Sequence, residues 1–232
     1  MIKLVVFDMA GTVINEENVV YKTLQRAANE GGIEADLGQV LEIGAGKEKS
    51  NALIDIAAKF APTMSQASVD KIYNEFLIML DIAYRDLNVS PMQGAEELFF
   101  ELKKRKVYTA LNTGYNKHTT DQLLSKLGWS REQTVDEIVT ASDVPCSRPH
   151  PDMIFFAMES LGIKDAKLVM KIGDSQIDIE EGKNAGCAVT VGITTGAHTR
   201  EQLQLAKPDF VIDQLSEVLS IVDSMPLVLG WL

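Results

Sequence analysis

The chain opens with a short, uninterrupted apolar segment that constrains the fold more than any other stretch. Residues 2–7 are rich in β-branched and aliphatic side chains, and Asp8 follows them directly. An apolar run of this length predicts a strand that is covered on both faces, as in the centre of a parallel sheet. A carboxylate at the end of such a strand lies at the edge where open α/β sheets bind ligands, unless Asp8 merely turns the chain. The segment alone leaves both interpretations open.

Further strand-like segments recur along the rest of the sequence, and helical patterns separate them. They lie near residues 107–111, 137–140, 168–172, 188–191 and 210–212. Strands that alternate with helices imply a parallel sheet with right-handed crossover connections. The predicted fold class is therefore α/β, with a Rossmann-like parallel-sheet core.

The segment from residue 15 to residue 91 differs, because nothing in it has the pattern of a strand. Three stretches carry apolar residues at helical spacing, and residues 43–46 are interpreted as a loop. We predict an all-helical cap domain at 15–91, inserted into a core domain formed by 1–14 and 92–232. Because the insert leaves directly after the first strand, it can cover the carboxyl end of that strand.

Composition argues against several classes of partner. The formal net charge is −11, which disfavours binding to nucleic acid or to an anionic membrane. The start of the chain is too short for a signal peptide, and the apolar tail at 226–232 is too short to span a bilayer. We expect Trp231 and Leu232 to pack on the domain or on a partner subunit. The isolated Cys146 and Cys187 predict reduced thiols and a cytoplasmic location.

Polar side chains follow the predicted strands at the edge where parallel strands end together: Asp8, Thr113, Arg148, and Asp174 with Asp178. Carboxylates are ligands that Mg²⁺ prefers, whereas a hydroxyl and a guanidinium suit a phosphoryl group. Asp8 can then act as a carboxylate nucleophile while cations neutralise the phosphoryl oxygens. Each residue alone also fits a turn, a surface charge or a helix start. Their arrangement in register favours a catalytic site.

Four motifs in this order resemble the haloacid dehalogenase superfamily of aspartate-nucleophile phosphohydrolases: D-x-x-G-T at 8–12, N-T-G at 112–114, R-P-x-P at 148–151 and G-D-S-x-x-D at 173–178. The resemblance is closest to the phosphonoacetaldehyde hydrolase branch, which has alanine as at Ala10, arginine as at Arg148 and tyrosine as at Tyr115. It implies a Mg²⁺ cofactor and an aspartyl-phosphate intermediate on Asp8. It also implies that the metal is held by Asp8, Asp174 and the Ala10 carbonyl. Contacts to the substrate, or support of the site, are implied for a further set of residues: Gly11, Thr12, Gly114, Tyr115, Ser175 and Asp178.

Ala10 also has a direct chemical meaning. In phosphate-ester cleavage by this superfamily, a second aspartate protonates the leaving alkoxide and later activates water, and alanine does neither. The resembling branch instead uses a cap lysine that forms a Schiff base with an aldehyde, within the motif M-G-x-x-K-x-x-H. Gly44 and Lys47 keep the glycine and the lysine, while Ile43 and Ser50 replace the methionine and the histidine. We predict Lys47 as a catalytic residue that either forms a Schiff base or holds the substrate phosphate.

Two charged pairs are interpreted as solvated, Glu48 with Lys49 and Glu180 with Glu181. The leading expectation is Mg²⁺-dependent cleavage of a phosphoryl group, from a carbonyl-bearing phosphonate such as phosphonoacetaldehyde or a close analogue. The alternatives are a small-molecule phosphate-ester phosphatase, a phosphoglucomutase-like enzyme, and a protein that binds a phosphorylated metabolite without converting it. The expected partner is a small phosphorylated or phosphonate metabolite, and the resemblance suggests a homodimer formed through the cap.

Overall fold

The computed structural model describes residues 1–225, and their centre is a parallel sheet. In chain order the strands are β1 (Leu4–Asp8), β2 (Ile14–Asn15), β3 (Ser90–Pro91), β4 (Tyr108–Thr113), β5 (Glu137–Thr140), β6 (Val169–Gly173), β7 (Val189–Ile193) and β8 (Phe210–Ile212). Six of them form one sheet in the order β5-β4-β1-β6-β7-β8, and every neighbouring pair runs parallel. The predicted α/β class is confirmed, and the first apolar segment is a central strand.

Helices connect the strands and cover the sheet. In chain order they are α1 (Val19–Glu30), α2 (Leu37–Gly44), α3 (Lys49–Phe60), α4 (Gln66–Asp86), α5 (Ala95–Lys104), α6 (Lys117–Leu127), α7 (Asp152–Ser160), α8 (Gln176–Ala185), α9 (Arg200–Leu205) and α10 (Glu217–Ser224). No helix in this described part of the chain is long and apolar enough to cross a membrane. The predicted packing of Trp231 and Leu232 lies outside the described residues.

Strand β1 is buried along its whole length because the two faces of the sheet pack against separate apolar clusters. Phe7 belongs to one cluster, where its ring meets that of Phe99 in α5 edge-on, with 5.7 Å between the centroids. Leu4 and Val6 belong to the other cluster, which α7 covers. Alternating side chains of a strand face opposite sides of the sheet, so both clusters draw on the same short segment. The polar Asp8 then stands where the strand ends.

Helices α1–α4 lie between β2 and β3, and the antiparallel pairing of these two short strands closes the base of the insert. This small sheet was absent from the sequence prediction, because two residues per strand are too few to produce an alternating pattern. Helix α1 packs along α4, and Leu24 and Phe76 are fully buried between the insert helices. The insert therefore has its own apolar contacts.

The insert contains one helix more than the sequence pattern predicted. Helix α2 is capped by Asp36, which accepts a hydrogen bond from the Gln39 backbone N–H, while the Gln39 side chain accepts from the Asp36 N–H. Such a reciprocal capping box satisfies two backbone donors at the start of a helix. Because α2 continues to Gly44, the prediction of a loop at 43–46 is wrong in its first half.

Candidate active site

The carboxyl ends of β1, β4 and β6 meet at one edge of the sheet and carry most of the predicted polar residues. Asp8 ends β1 opposite Asn112 of β4, and Thr113 is the last residue of β4. Asp174 follows β6 directly, and Asp178 lies in the first turn of α8. One carboxylate oxygen from each of Asp8, Asp174 and Asp178 lies within 4.8 Å of the other two. The structure thus brings the three predicted aspartates together.

Arg148 reaches the same edge from the loop before α7, and its side chain is fully buried. Its Nη1 lies 2.7 Å from Asp8 Oδ1 and 2.9 Å from Asp178 Oδ1. Its Nε lies 3.0 Å from Glu181 Oε2. Its Nη2 donates to the backbone and side-chain oxygens of Asn112, at 2.7 and 2.6 Å. A planar guanidinium held by so many acceptors fixes the orientation of the Asp8 carboxylate.

A second buried cation, Lys171 of β6, supports the same carboxylates. Its Nζ lies 2.9 Å from Asp178 Oδ1, 3.3 Å from Glu181 Oε2 and 2.7 Å from Asn112 Oδ1. Asn112 also donates to Glu181 Oε1 at 2.8 Å. The prediction that Glu181 belongs to a solvated helix face is wrong, because its side chain is fully buried and neutralises both cations. Buried charges require such partners.

The three aspartates do not share one electrostatic environment. Burial raises the pKa of the Asp8 carboxyl in spite of the adjacent Arg148. Burial, with repulsion from Asp8 and Asp178, raises the pKa of Asp174 well above its usual range. At Asp178 burial also acts to raise the pKa, but Arg148 and Lys171 outweigh it and lower the pKa. Asp178 is therefore a stable anion, whereas Asp8 and Asp174 lack sufficient neighbouring positive charge.

This charge imbalance fits a divalent cation. Among the described residues at this edge, four buried carboxylates face two buried cations: Asp8, Asp174, Asp178 and Glu181 against Arg148 and Lys171. Mg²⁺ prefers hard oxygen ligands and would neutralise the excess negative charge. The Asp174 carboxylate is already oriented, since its Oδ2 accepts from the Ala197 N–H at 2.6 Å. Asp8 and Asp174 would hold the ion, together with the carbonyl of Ala10 from the loop after β1.

Gly11 leaves room for that carboxylate. Its φ is +86°, and a Cβ placed on it would lie 2.3 Å from Asp174 Oδ2. A side chain at this position would therefore both strain the backbone and displace the aspartate. Gly11 thus contributes to the site by leaving room for the Asp174 carboxylate.

Three small polar residues line the same edge. Thr12 Oγ1 is buried and has no hydrogen-bond partner within residues 1–225, so a ligand oxygen could satisfy it. Thr113 Oγ1 accepts from the Tyr115 N–H at 3.2 Å. Ser175 donates to Asp178 Oδ2 at 2.5 Å, which holds that carboxylate in place. Their positions agree with contacts to a phosphoryl group and with support of the aspartates.

The two lysines of the insert loop lie in different places. The Lys47 amine pairs with Asp55 Oδ2 of α3 at 2.6 Å, and 28 % of the Lys47 side chain is exposed. The structure therefore does not bring Lys47 to the aspartates. Lys49, the first residue of α3, is 5 % exposed, and its amine lies 4.9 and 5.1 Å from the ring centroids of Tyr21 and Tyr115. The interpretation of Lys49 as a solvated charge is wrong.

Burial lowers the pKa of the Lys49 amine to about 8, and the Asp8 carboxylate opposes that shift more than any other charge. Lys49 thus lies within the electrostatic reach of the strand-end site. An ammonium group over aromatic rings keeps some favourable charge interaction, but it lacks the solvation that holds a free lysine protonated. Lys49 is consequently an amine that loses its proton readily.

The loop that carries both lysines rests directly on the core. A Cβ on Gly114 would lie 2.8 Å from the carbonyl oxygens of Gly46 and Lys47, and a Cβ on Gly46 would lie 2.4 Å from Ser175 Oγ. The Gly46 N–H donates to Tyr21 Oη at 2.9 Å. Glycines at both positions allow the backbones to approach this closely. The insert therefore closes over the edge that holds the aspartates.

Comparison with known proteins agrees with this geometry. The profile of the haloacid dehalogenase-like hydrolase family matches residues 5–192, from β1 to β7. The chain belongs to this family. It is 28% identical to the phosphonoacetaldehyde hydrolase of Latilactobacillus sakei subsp. sakei (strain 23K), over 95% of this chain and 95% of that protein. The resemblance inferred from the four motifs is confirmed, and the protein is a hydrolase.

Solved structures of other proteins share the fold. A phosphonoacetaldehyde hydrolase-like protein from Oleispira antarctica superposes with a TM-score of 0.82 at 20% identity, covering 96% of this chain and 91% of that one. A predicted phosphoglycolate phosphatase from Haemophilus somnus 129pt has a TM-score of 0.77 at 21% identity, covering 95% and 98%. At these identities the superpositions establish the fold alone.

The sequence analysis missed several residues of the candidate site of this haloacid dehalogenase-like hydrolase, although the sequence held a signal for each. Lys171 interrupts an apolar strand, where a charge requires a buried partner. Glu181 follows Asp178 by three residues, which places both on one face of α8. The glycine-x-x-lysine spacing of Gly44 and Lys47 recurs two residues later, at 46–49. The second copy, and not the first, delivers a lysine to the site.

Glu16 is a further buried acid that the family motifs do not include. It lies between β2 and α1 and is 2 % exposed. Its Oε2 accepts hydrogen bonds from the Val20 N–H and from Tyr84 Oη, each at 3.2 Å. Burial raises its pKa to about 7. A carboxyl group that changes charge near neutral pH is thus enclosed close to the active site of this hydrolase.

Proposed function

We propose that the protein cleaves the C–P bond of a phosphonate that carries a neighbouring carbonyl group, such as phosphonoacetaldehyde or a close analogue. The observation that carries this proposal is the buried Lys49 amine, enclosed over a nucleophile site in which Ala10 replaces an acid. Relatives named phosphonoacetaldehyde hydrolase at 28% and 29% identity support the substrate class.

Asp8 is the proposed nucleophile. An oxygen of its carboxylate forms a bond to phosphorus, the C–P bond breaks, and its electron pair leaves with the carbon fragment. Water then hydrolyses the aspartyl phosphate and releases inorganic phosphate. Arg148, 2.7 Å from Asp8 Oδ1, orients the carboxylate and offers positive charge to the phosphoryl oxygens. Mg²⁺, when bound, supplies further positive charge to the same oxygens.

The carbon leaving group explains the need for an amine. A C–P bond expels a carbanion, and positive charge on the phosphoryl oxygens does not stabilise charge on that carbon. An iminium formed between Lys49 and the substrate carbonyl accepts the electron pair and becomes an enamine. Ala10 fits this route, because the carbon leaving group needs no acid at the position of a second aspartate.

The environment of Lys49 suits imine formation. A neutral amine is required for attack on a carbonyl, and with a pKa of about 8 roughly one Lys49 amine in ten is neutral at pH 7. For a free lysine of pKa about 10.4 the fraction is roughly one in 2,500. Lys49 replaces Lys47 in our assignment of the Schiff-base role, since the Lys47 amine is held by Asp55.

A phosphate-ester phosphatase is the second candidate, and the fold shared with a predicted phosphoglycolate phosphatase favours it. An ester releases an alkoxide, which requires a proton donor where this chain has Ala10. A phosphoglucomutase-like reaction has the same requirement. A protein that binds without converting would release no phosphate from any substrate.

The test combines phosphate release with trapping of the imine. The protein with Mg²⁺ is screened against phosphonoacetaldehyde, other carbonyl phosphonates and phosphate esters. In parallel, borohydride is added with the aldehyde phosphonate, and the labelled residue is located by mass spectrometry. We expect release from the carbonyl phosphonate and labelling of Lys49.

Two matched variants separate the candidates. Lys49→Arg should lose both activities because a guanidinium stays protonated, whereas Lys47→Arg should keep them within a few-fold. Loss in Lys47→Arg with retention in Lys49→Arg would return the role to Lys47. Ester hydrolysis without any borohydride labelling would assign a phosphatase.

A further inference from the structure

A buried polar cluster lies between the insert and the core on the Lys49 side of the site. We call it the tyrosine cluster, and its members come from the linker, α1, α3, α4 and the loop after β4: Glu16, Tyr21, Lys49, Tyr84 and Tyr115. Every member is at most 6 % exposed. The proposed phosphoryl chemistry uses Lys49 but leaves the carboxyl group of Glu16 without a role.

Contacts within the tyrosine cluster connect Glu16 to the space around Lys49. Tyr84 Oη donates to Glu16 Oε2 at 3.2 Å. The Tyr115 hydroxyl lies beside that of Tyr84, is buried, and makes no hydrogen bond of normal geometry within residues 1–225. The ring of Tyr115 is 5.1 Å from Lys49 Nζ. Tyr84 and Tyr115 therefore lie between the Glu16 carboxyl group and the Lys49 amine, and the Tyr115 hydroxyl can still accept a hydrogen-bond partner.

Two members of the tyrosine cluster titrate near neutral pH. Burial raises the pKa of Glu16 to about 7 and lowers that of Lys49 to about 8, and each group acts on the charge of the other. Burial raises the pKa of Tyr21, Tyr84 and Tyr115 well above the usual range, so these hydroxyls stay protonated. A proton can move between Glu16 and Lys49 at little cost, because the two proton affinities are nearly matched.

Asp8 and Glu48 are the other carboxylates that act on the charge of Lys49. Asp8 is the proposed nucleophile, and the oxygens of Glu48 are already occupied. They accept from the backbone N–H groups of Ser50 and Asn51, at distances of 2.9 to 3.0 Å, and from Tyr73 Oη at 3.3 Å. Glu48 thus serves as the cap of α3. Glu16 remains as the carboxyl group of the tyrosine cluster that is available for proton exchange.

We propose that Glu16 is a positioning residue that accepts a proton from Lys49 and returns it during imine formation, by way of the Tyr84 and Tyr115 hydroxyls. The inference rests on the proposed function. First the Lys49 ammonium gives one proton to the Glu16 carboxylate. The neutral nitrogen then bonds to the carbonyl carbon, and a proton passes from nitrogen to the carbonyl oxygen, forming a carbinolamine.

The second half of the reaction uses the stored proton. Glu16 returns it to the carbinolamine hydroxyl, the C–O bond breaks, and water leaves. The nitrogen lone pair forms the C=N bond of the iminium. In sum, an ammonium and an aldehyde give an iminium and water, and Glu16 ends as the carboxylate it was at the start.

The test measures the rate of borohydride trapping at Lys49 with phosphonoacetaldehyde, in Glu16→Gln and in the matched control Glu17→Gln. Glutamine keeps an oxygen that accepts from Tyr84 and Val20 but exchanges no proton, and Glu17 is the exposed neighbour in the same linker. We expect Glu16→Gln to trap roughly 100-fold more slowly with KM changed only a few-fold, and Glu17→Gln to behave as wild type. Glu16→Asp should recover most of the rate.

The pH profile separates proton exchange from structural support. In the wild type the rate should be bell-shaped between pH 7 and 8, because the productive state holds one proton shared by two groups. In Glu16→Gln it should instead rise with pH and level off as Lys49 alone loses its proton. Tyr84→Phe keeps the carboxyl group but breaks the path, so it should also trap slowly if the protein stays folded.

Three outcomes would overturn the inference. The inference fails if Glu16→Gln is trapped at the wild-type rate and keeps the bell-shaped pH profile. Equal losses in Glu16→Gln and Glu16→Asp, with lower melting temperatures and an unchanged profile, assign Glu16 a structural role. If the wild type is not trapped at any pH, the proposed function fails and this inference fails with it.

Discussion

Two buried lysines, Lys171 in the sheet and Lys49 at the insert, show how surroundings decide what a buried amine does. Lys171 has three acceptors within 3.3 Å, two of them carboxylates. Lys49 has the backbone carbonyl of Lys47 and two aromatic faces. Carboxylates balance the charge of the buried Lys171 amine, whereas burial against aromatic rings lowers the pKa of the Lys49 amine to about 8. The sheet lysine thus supports the site, and the insert lysine can react in it.

The same contrast separates two buried glutamates. Glu181 accepts from Arg148 and Lys171 and also from the Asn112 amide. Glu16 accepts from one hydroxyl and one backbone N–H, and burial raises its pKa to about 7. At the strand ends, Glu181 is thus paired with two cations, whereas on the insert side burial brings the pKa values of Glu16 and Lys49 close to neutral pH. In the proposed reaction, the strand-end region would bind the phosphoryl group and the insert side would exchange protons.

The largest expected effect comes from a change at Asp8, which should stop phosphate release at the strand-end region but leave imine formation at Lys49 intact. Asp8→Asn should reduce phosphate release to background, because an amide is a poor nucleophile, while Arg148 keeps an acceptor in place. Imine formation precedes attack on phosphorus, so borohydride with the aldehyde phosphonate should still label Lys49 in this variant. Phosphate release and mass spectrometry on the same preparation check both statements. Lost labelling with an intact fold would mean that the strand-end region and the insert side do not work separately.

The next effect concerns the buried ion pairs of the strand-end region. Glu181→Ala should lower the free energy of unfolding by about 3–5 kcal/mol, because it removes the buried carboxylate that contacts both Arg148 Nε and Lys171 Nζ. Glu180→Ala is the matched control, since the neighbouring side chain is exposed, and it should change stability by less than about 0.5 kcal/mol. Urea denaturation at pH 7.5 measures both. Equal effects in the two variants would contradict the structural role of Glu181.

A smaller effect tests the raised pKa of Glu16 through the pH dependence of the free energy of unfolding. The folded pKa of Glu16 is raised, so its contribution is fully present below the unfolded pKa of about 4.3 and is lost as pH rises through about 7. Glutamine does not titrate, so Glu16→Gln removes this pH-dependent loss of stability. Relative to the wild type, the variant should therefore gain about 3 kcal/mol between pH 4.5 and pH 8. Denaturant curves at the two pH values measure it, with Glu17→Gln as a flat control. A pH-independent difference would show that Glu16 is not buried as a neutral acid.

The aspartates at the strand ends were predictable from the sequence because they occupy positions that local patterns reveal. An apolar strand followed at once by Asp8 or by Asp174 places the carboxylate at the sheet edge whatever the rest of the chain does. Helix α2 was missed, although the aspartate and the glutamine of its capping box are three residues apart and form a local signal for a helix start. These features depend on neighbours in sequence.

The residues that the sequence analysis missed depend on neighbours in space. Glu181 and Lys171 become partners only when α8 packs on β6, and no spacing rule pairs a strand residue with a helix residue. The choice between Lys47 and Lys49 depends on Gly46, whose φ of +73° turns the loop against Ser175 before α3 begins. The glycine-x-x-lysine motif occurs twice, starting at Gly44 and at Gly46. The backbone conformation brings the lysine of the second copy to the site.

The smallest expected effect concerns the lysine that lies outside the site. The Lys47–Asp55 pair is partly exposed, so a double-mutant cycle with alanine at each position should give a coupling of about 0.2–1 kcal/mol. The same pair tests whether the location of a lysine or its release from an ion pair decides its reactivity. In a Lys49→Arg background, Asp55→Ala releases the Lys47 amine from its partner. If burial over the rings makes the reactive amine, the released Lys47 should remain unlabelled by borohydride, because it lies outside that enclosure. Labelling of Lys47 in the double variant would show that release from an ion pair suffices, and the contrast between the two lysines would lose its physical basis.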